Sequence, residues 1–257
     1  MATIVHHGVK LDYESRGKGK PAFLFVHGWT CDKSFFAPQA KHFAKRHRVV
    51  SVDLRGHGKS DKPQGAYPIS AYVDDLAFLI GELRLGKVVA VGHSMGGITV
   101  LELGAVHPDK VAGIVMVDPA PLAWPPELKA GVEAIVAAIE AGNQEPRRQF
   151  IANNLFMKTS DKRLVKSVLK TMMAAPSHVA ANAMKGILAF DGPTAAARCK
   201  VPALHLAATP PLNPPHLMSG WMPNVVNGWT VGAGHFNMME APDQVNAMIE
   251  GFLRHHV

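Results

Sequence analysis

The chain contains very little cysteine, with only Cys31 and Cys199 among 257 residues. Two cysteines without metal-ligand spacing exclude a disulfide framework and a cysteine-based zinc site. Long hydrophobic runs are also missing: no apolar stretch approaches ~18 residues, so we expect no membrane span. The first residues show no basic segment followed by an apolar core, and therefore predict no signal peptide. These absences favour a cytoplasmic protein.

Nucleotide-binding signatures are absent as well. The sequence has neither a G-x-G-x-x-G fingerprint nor a P-loop, and we expect no metal, nucleotide or other cofactor. A net charge of +7 raises nucleic acid as a partner, but the basic residues are scattered and no aromatic stripe lies between them. We therefore expect no nucleic-acid partner, and either a monomer or a homodimer.

Strands and helices are predicted to alternate over much of the chain. Short apolar runs bounded by turn residues indicate strands, and apolar residues at helical spacing indicate helices. Such alternation predicts an α/β fold, with a mostly parallel sheet flanked by helices. The predicted strands are Thr3–His7, Lys10–Ser15, Ala22–Val26, Arg48–Val52, Lys87–Val91, Ala112–Val117, Val201–Leu206 and Val225–Val231. The predicted helices between and after them are Ser34–Ala44, Ser70–Leu83, one that follows Ser94, and Pro242–Arg254.

The alternation stops after Asp118, where several prolines interrupt the sheet pattern. Only helical stretches follow until about Phe190, and they are rich in alanine and methionine. We interpret residues 121–190 as a helical cap over a core formed by residues 1–120 and 191–257. The predicted cap helices are Glu127–Ala141, Arg147–Phe156, Asp161–Met173 and His178–Leu188.

The most informative motif is Gly92-His93-Ser94-Met95-Gly96, which lies between a predicted strand and a predicted helix. In a G-x-S-x-G turn of this kind the serine hydroxyl is exposed on a sharp elbow, and the glycines leave room for it. A serine needs a neighbouring base to act as a nucleophile at neutral pH. Ser94 is therefore the candidate nucleophile; an ordinary turn with a capping serine is the alternative.

The candidate base is His235, which two glycines place on a loop directly after the last predicted strand. Negative charge that develops during acyl transfer requires backbone N–H donors. We expect these donors to be the N–H of Met95, next to the nucleophile, and the N–H of Trp29. Trp29 follows the strand Ala22–Val26 in the loop His27-Gly28-Trp29. The candidate substrate-binding residues are Gly28, His93 and Trp124.

Together these motifs resemble the α/β-hydrolase family, in the branch that carries a helical cap. The resemblance covers essentially the whole chain and implies an eight-stranded, mostly parallel sheet. It also implies a catalytic triad in the chain order serine, acid, histidine. The segments that carry it are His27-Gly28-Trp29, Asp53-Leu54-Arg55-Gly56-His57-Gly58-Lys59-Ser60, Gly92-His93-Ser94-Met95-Gly96-Gly97, His107-Pro108-Asp109-Lys110-Val111 and Gly234-His235.

The acid departs from the usual pattern. Most relatives place it after the strand that corresponds to Val201–Leu206, where this chain has Pro211, a residue without a side-chain oxygen. Other branches place the acid after the preceding strand, which ends here at Asp118. We therefore predict Asp118 as the triad acid. Asn213 and Asp191 are the alternatives, and a turn-capping role for Asp118 stays open.

Serine at the nucleophile position excludes the dehalogenase and epoxide-hydrolase relatives, which use aspartate there. A Ser–His pair indicates acyl transfer, and the apolar cap favours an apolar or aromatic substrate. We expect a serine hydrolase that cleaves small to medium carboxylic esters through an acyl-enzyme. A lactonase, a cofactor-independent dioxygenase of the same fold and a non-catalytic ligand receptor are the alternatives.

Overall fold

The computed structural model describes residues 2–257. Within them the chain forms one eight-stranded sheet in the order β1-β2-β4-β3-β5-β6-β7-β8. The hairpin β1–β2 and the pair β2–β4 are antiparallel, and the remaining pairs are parallel, which confirms the predicted sheet. The strands are β1 Ala2–His6, β2 Val9–Arg16, β3 Ala22–Val26, β4 Val49–Val52, β5 Val88–His93, β6 Val111–Val117, β7 Ala203–Ala207 and β8 Val226–Trp229.

The central strands are buried on both faces, because helices cover the sheet from both sides. Every residue of β3 and β5 is buried, as their continuous apolar runs predict. The helices are α1 Ala37–Phe43, α2 Ile69–Glu82, α3 Met95–Val106, α4 Pro126–Glu140, α5 Glu145–Asn154, α6 Lys162–Met173, α7 Ser177–Leu188, α8 Gly192–Arg198, α9 Pro215–Trp221, α10 Asn237–Glu240 and α11 Pro242–His256.

Helices α4 to α7 lie between β6 and β7, in the region interpreted from the sequence as the cap. The other helices differ from prediction mainly where they are short. The predicted helix 34–44 is a 3-10 turn, Lys33–Phe36, followed by α1. Helices α8, α9 and α10 have seven residues or fewer and were not predicted, because so few turns carry no clear periodicity.

The parallel strands β5, β6 and β7 end at the same edge of the sheet. His93 pairs with Val117 across β5 and β6, and Val117 pairs with Leu206 across β6 and β7. The residues that follow these strands are therefore neighbours in space, as expected for ligand sites in parallel sheets. No helix in the described part of the chain is long and apolar enough to cross a membrane.

Candidate active site

Ser94 lies on a sharp elbow between β5 and α3, with φ 54° and ψ −116°. A positive φ is uncommon for a residue other than glycine and indicates local strain. The flanking glycines explain how the chain turns so tightly. A Cβ at Gly92 would lie 2.0 Å from the carbonyl oxygen of Gly96, and a Cβ at Gly96 would lie 2.2 Å from that of Val26. Both positions therefore exclude any side chain.

His235 and Asp118 form a buried pair, although 117 residues separate them. The Nδ1–H of His235 donates to Oδ2 of Asp118 at 2.6 Å. The other carboxylate oxygen, Oδ1, accepts from the backbone N–H groups of Ala208 at 3.3 Å and Leu212 at 3.4 Å. A carboxylate can only accept, so the neutral imidazole carries its proton on Nδ1 and its Nε2 is free to accept one.

The backbone delivers Asp118 to this position at the end of β6. Its φ is 37°, and its N–H donates to the carbonyl oxygen of Leu206 at 2.8 Å. The residue is fully buried, so the carboxylate is paired in a medium where an unpaired charge is costly. The turn that ends β6 thus directs the side chain toward the neighbouring strand ends.

The alternative acids have other partners. Asn213 is buried: its Oδ1 accepts from the N–H of Leu122 at 2.8 Å, and its amide donates to the carbonyl oxygen of Pro119 at 2.8 Å. It therefore ties together the loop that follows Asp118. Asp191 is exposed and begins α8, where it accepts from the N–H of Thr194. Neither side chain forms a hydrogen bond with the imidazole of the candidate base, whose partner is Asp118.

His93 supports the candidate base. Its Nε2–H donates to the backbone carbonyl of His235 at 2.8 Å, and the two rings lie 4.5 Å apart. Burial lowers the pKa of His93 well below its ordinary value, and the nearby His235 adds to this, so the ring is neutral. The side chain reaches the cavity wall but is only 1% exposed. Its polar contact is to the base.

Gly28 lies directly against the elbow. A Cβ at this position would come within 3.1 Å of the Ser94 Cβ and 2.9 Å of His93 Nδ1. Glycine therefore allows the loop after β3 to approach Ser94, which any larger residue would prevent.

The backbone N–H groups predicted for the oxyanion site are those of Trp29 and Met95. Neither has an acceptor within residues 2–257, and their role as oxyanion donors stays a prediction. Met95 is the first residue of α3, where the helix leaves its N–H groups unsatisfied. The loop of Trp29 is fixed by His27, whose Nδ1–H donates to the carbonyl oxygen of Gly28 at 2.8 Å and whose Nε2 accepts from the N–H of Leu54 at 3.0 Å.

Ser94, His235 and Trp124 line one cavity of about 230 Å³ between the sheet edge and the cap. None of the described residues that line it carries a formal charge, apart from any proton on a histidine. The hydroxyl of Ser94 makes no hydrogen bond within residues 2–257, and such bonds often form only when substrate is bound. The remaining lining residues are Trp29, Cys31, His93, Ala120, Pro121, Leu128, Val132, Phe150, Asn154, Leu155, Met172, Met184, Ile187, Leu212 and Phe236.

Several of these lining residues were not predicted from the sequence. Phe150 and Met172 belong to cap helices, and helical spacing alone does not show which face of a cap helix covers a site. Phe236 follows the candidate base directly, and only the turn into α10 places its ring in the wall. Within residues 2–257, no group of three or more His, Cys, Asp or Glu side chains could hold a metal ion.

The chain belongs to the α/β-hydrolase family. A family model described as "alpha/beta hydrolase fold" matches residues 21–167, which is more than half of the chain. The match includes β3, the elbow at Ser94 and the helices α4 and α5. The observed fold and the sequence motifs agree with this family match.

Individual relatives carry the names of hydrolases. A 2-(acetamidomethylene)succinate hydrolase from Mesorhizobium japonicum is 37% identical over 136 residues, which cover 53% of this chain and 47% of that protein, about half its length. A thermophilic esterase from Thermogutta terrifontis has a TM-score of 0.87 at 26% identity, covering 99% of this chain and 97% of its own. An enol-lactonase from Burkholderia xenovorans has a TM-score of 0.88 at 21% identity, covering 98% and 100%, and shows the shared fold.

Proposed function

We propose that the protein is a serine hydrolase that cleaves carboxylic esters of small to medium apolar or aromatic substrates through an acyl-enzyme. The observation that carries the proposal is the His235–Asp118 pair, whose imidazole shares one cavity with Ser94 on its strained elbow. A serine, a histidine and a buried acid in this arrangement supply a nucleophile, a base and the group that fixes its tautomer. The esterase among the similar structures agrees with this chemistry.

The proposed reaction has two steps. In the first, Nε2 of His235 takes the proton of the Ser94 hydroxyl as Oγ attacks the ester carbonyl carbon. The oxyanion accepts hydrogen bonds from the N–H groups of Trp29 and Met95. The alcohol then leaves with the proton from His235, which forms the acyl-enzyme. In the second step water attacks the acyl carbon, His235 takes its proton, and the acid product is released as Ser94 regains that proton.

The absence of formal charge in the described cavity lining argues for an uncharged substrate. A carboxylate transferred from water into an apolar site loses hydration, and only a paired charge or hydrogen bonds can compensate. The cavity offers aromatic rings and methionine side chains, which favour apolar and aromatic groups. The Mesorhizobium relative is named for a succinate, a dicarboxylate. We propose that this chain prefers neutral esters.

The test is hydrolysis of p-nitrophenyl esters from acetyl to lauroyl by the wild-type protein and by Ser94→Ala. We expect turnover with an optimum at short or medium acyl length, and its loss in Ser94→Ala. Ser167→Ala, which changes an exposed serine on α6, is the matched control and should keep full activity. Equal turnover by wild type and Ser94→Ala would contradict the proposal. No ester turnover by folded wild-type protein, together with oxygen uptake on a heteroaromatic substrate, would favour the dioxygenase.

A lactonase is the second candidate. A lactone is a cyclic ester, so the same three residues would open its ring, and the enol-lactonase shares the fold over nearly the whole chain. Lactones of matched size belong in the same assay. A value of kcat/KM at least about tenfold higher for lactones than for open-chain esters, a difference of about 1.4 kcal/mol in transition-state binding, would assign this activity instead.

A further inference from the structure

Arg147 is a buried cation in the cap without an acidic partner. It lies on α5, is 1% exposed, and has no carboxylate within ion-pair distance among residues 2–257. Burial lowers the pKa of Arg147 to about 10, so the guanidinium still carries its charge at neutral pH. A buried charge without a partner is costly. Other groups must therefore compensate for the burial of the Arg147 charge, and these groups indicate what the residue does.

Carbonyl oxygens and an aromatic ring provide that compensation. Nη1 donates to the carbonyl oxygen of Ala175 and to Oε1 of Gln144, both at 3.2 Å, and Nη2 donates to the carbonyl oxygen of Met172. Met172 lies in the last turn of α6, where the helix dipole is negative. The guanidinium carbon also lies 5.5 Å from the centroid of the Trp29 ring, which is within the range of a cation–π interaction.

The ring of Trp29 is held by the cap on other sides as well. Its Nε1–H donates to the carbonyl oxygen of Ala180 in α7 at 2.8 Å. The ring of Phe150, from α5, meets it edge-on at 6.5 Å. The backbone of Trp29 belongs to the loop after β3, next to Gly28 and the elbow at Ser94. Trp29 therefore connects the cap to this loop.

We infer that Arg147 is a positioning residue, which acts through the Trp29 ring to hold the Trp29 N–H in the oxyanion site. The inference rests on the proposed acyl-transfer function. Because the ring contacts α5 and α7, the donor is in place only while these cap helices are docked. The cap would then complete the oxyanion site besides covering the substrate.

The test compares Arg147→Met with Arg148→Met. Arg148 is the adjacent residue on α5, is half exposed, and lies 3.8 Å from Glu145, an exposed pair worth little. Methionine at 147 keeps the apolar stem of the side chain but removes the charge and the donors. Removing an oxyanion donor costs about 100- to 1000-fold in kcat, so a displaced donor should cost about tenfold with little change in KM. Arg148→Met should stay within about twofold of wild type.

A matched pair of substrates separates positioning from general damage to the fold. Sulfur accepts hydrogen bonds more weakly than oxygen, so the oxyanion site contributes less to cleavage of a thionoester than of the corresponding ester. Arg147→Met should therefore slow the ester more than the thionoester. Trp29→Leu removes the aromatic ring, and with it the contact to Arg147, but keeps the backbone N–H. Its effect should not multiply with that of Arg147→Met, because both variants lose the same contact. Arg147→Lys should restore part of the activity, since it keeps the charge but not the planar fork.

Three results would overturn the inference: equal losses on both substrates, a change confined to KM, or losses that multiply in the double variant. If wild-type protein cleaves neither substrate, the proposed function fails, and fluorescence still decides the positioning of Trp29. Replacing the other tryptophans, at 124, 221 and 229, by phenylalanine leaves Trp29 as the only fluorophore of this kind. Arg147→Met should then increase acrylamide quenching of Trp29, and unchanged quenching would refute the contact's role.

Discussion

Asp118→Asn tests the candidate triad most directly, because it replaces one carboxylate oxygen by an NH2 group where both oxygens accept hydrogen bonds. The carboxylate accepts from His235 through Oδ2 and from the N–H groups of Ala208 and Leu212 through Oδ1. An amide has only one acceptor oxygen and one donor NH2 group. If its oxygen keeps the two backbone N–H groups, its NH2 faces the imidazole and Nδ1 must become the acceptor.

The size of the expected activity loss follows from the change in the tautomer of the His235 imidazole. With Nδ1 as the acceptor, the imidazole proton moves to Nε2, and His235 can no longer take the proton of Ser94. The opposite amide orientation keeps the tautomer but sets the NH2 group against two backbone donors. A comparable substitution in a serine protease costs about ten-thousand-fold, or roughly 5.4 kcal/mol of activation free energy. We expect a loss of several hundred-fold or more in kcat at neutral pH.

The assay is p-nitrophenyl ester hydrolysis under saturating substrate, with thermal unfolding to show that the variant is folded. Asp191→Asn is the matched control: it removes an exposed carboxylate but keeps a residue that caps α8 well. It should retain wild-type turnover. A loss below about tenfold in Asp118→Asn would refute the assignment of the acid, because a wrong tautomer cannot be so mild.

Two further predictions concern stability. Gly96→Ala places a Cβ 2.2 Å from the backbone oxygen of Val26 and should lower the free energy of unfolding by about 3 kcal/mol, as measured by chemical denaturation. Gly131→Ala, on α4 with nothing within 4 Å of the new Cβ, should instead raise it by up to about 1 kcal/mol; equal effects of the two variants would contradict this account. The free energy of unfolding should also decrease as the pH is lowered below about 6.5. Burial lowers the pKa of several histidines in the folded protein, so in acid the unfolded chain binds protons that the folded chain does not. Each such histidine contributes at most about 1.4 kcal/mol per pH unit, between its unfolded and folded pKa values, and the contribution of His57 continues down to its folded pKa of about 3. A Tm unchanged between about pH 7 and pH 5 would contradict the prediction. The histidines are His27, His57, His93 and His205.

Local sequence was enough to predict the elements that carry strong periodicity or special turns. The runs at Ala22–Val26 and Lys87–Val91 are apolar throughout because both faces of a parallel strand are covered. The two glycines around Ser94 predict a turn with no space for side chains, and the distances at Gly92 and Gly96 give the reason. The short helices α8 to α10 were missed because their ends are fixed by tertiary contacts and capping rather than by a repeating pattern.

The residue that pairs with the candidate base could not be decided from the sequence alone. Position alone left Asp118, Asn213 and Asp191 as alternatives, since each follows or precedes a relevant element. Only the folded backbone shows that Asp118 reaches His235, while Asn213 ties its own loop together. Likewise, Arg147 resembles an ordinary surface cation in an amphipathic helix, and its contact with Trp29 depends on how the cap is docked.

The sequence by itself determined the class of fold, the sharp elbow at Ser94 and the loop that bears the candidate base, because these depend on hydrophobic period and on glycine at fixed positions. The tertiary structure decided which acid pairs with the base, that His93 supports it, and that the described cavity lining carries no formal charge. It also decided that the Trp29 side chain, on the loop after β3, contacts the cap helices α5 and α7. These features join residues more than a hundred positions apart, and only the register of the sheet and the packing of the cap bring them into contact.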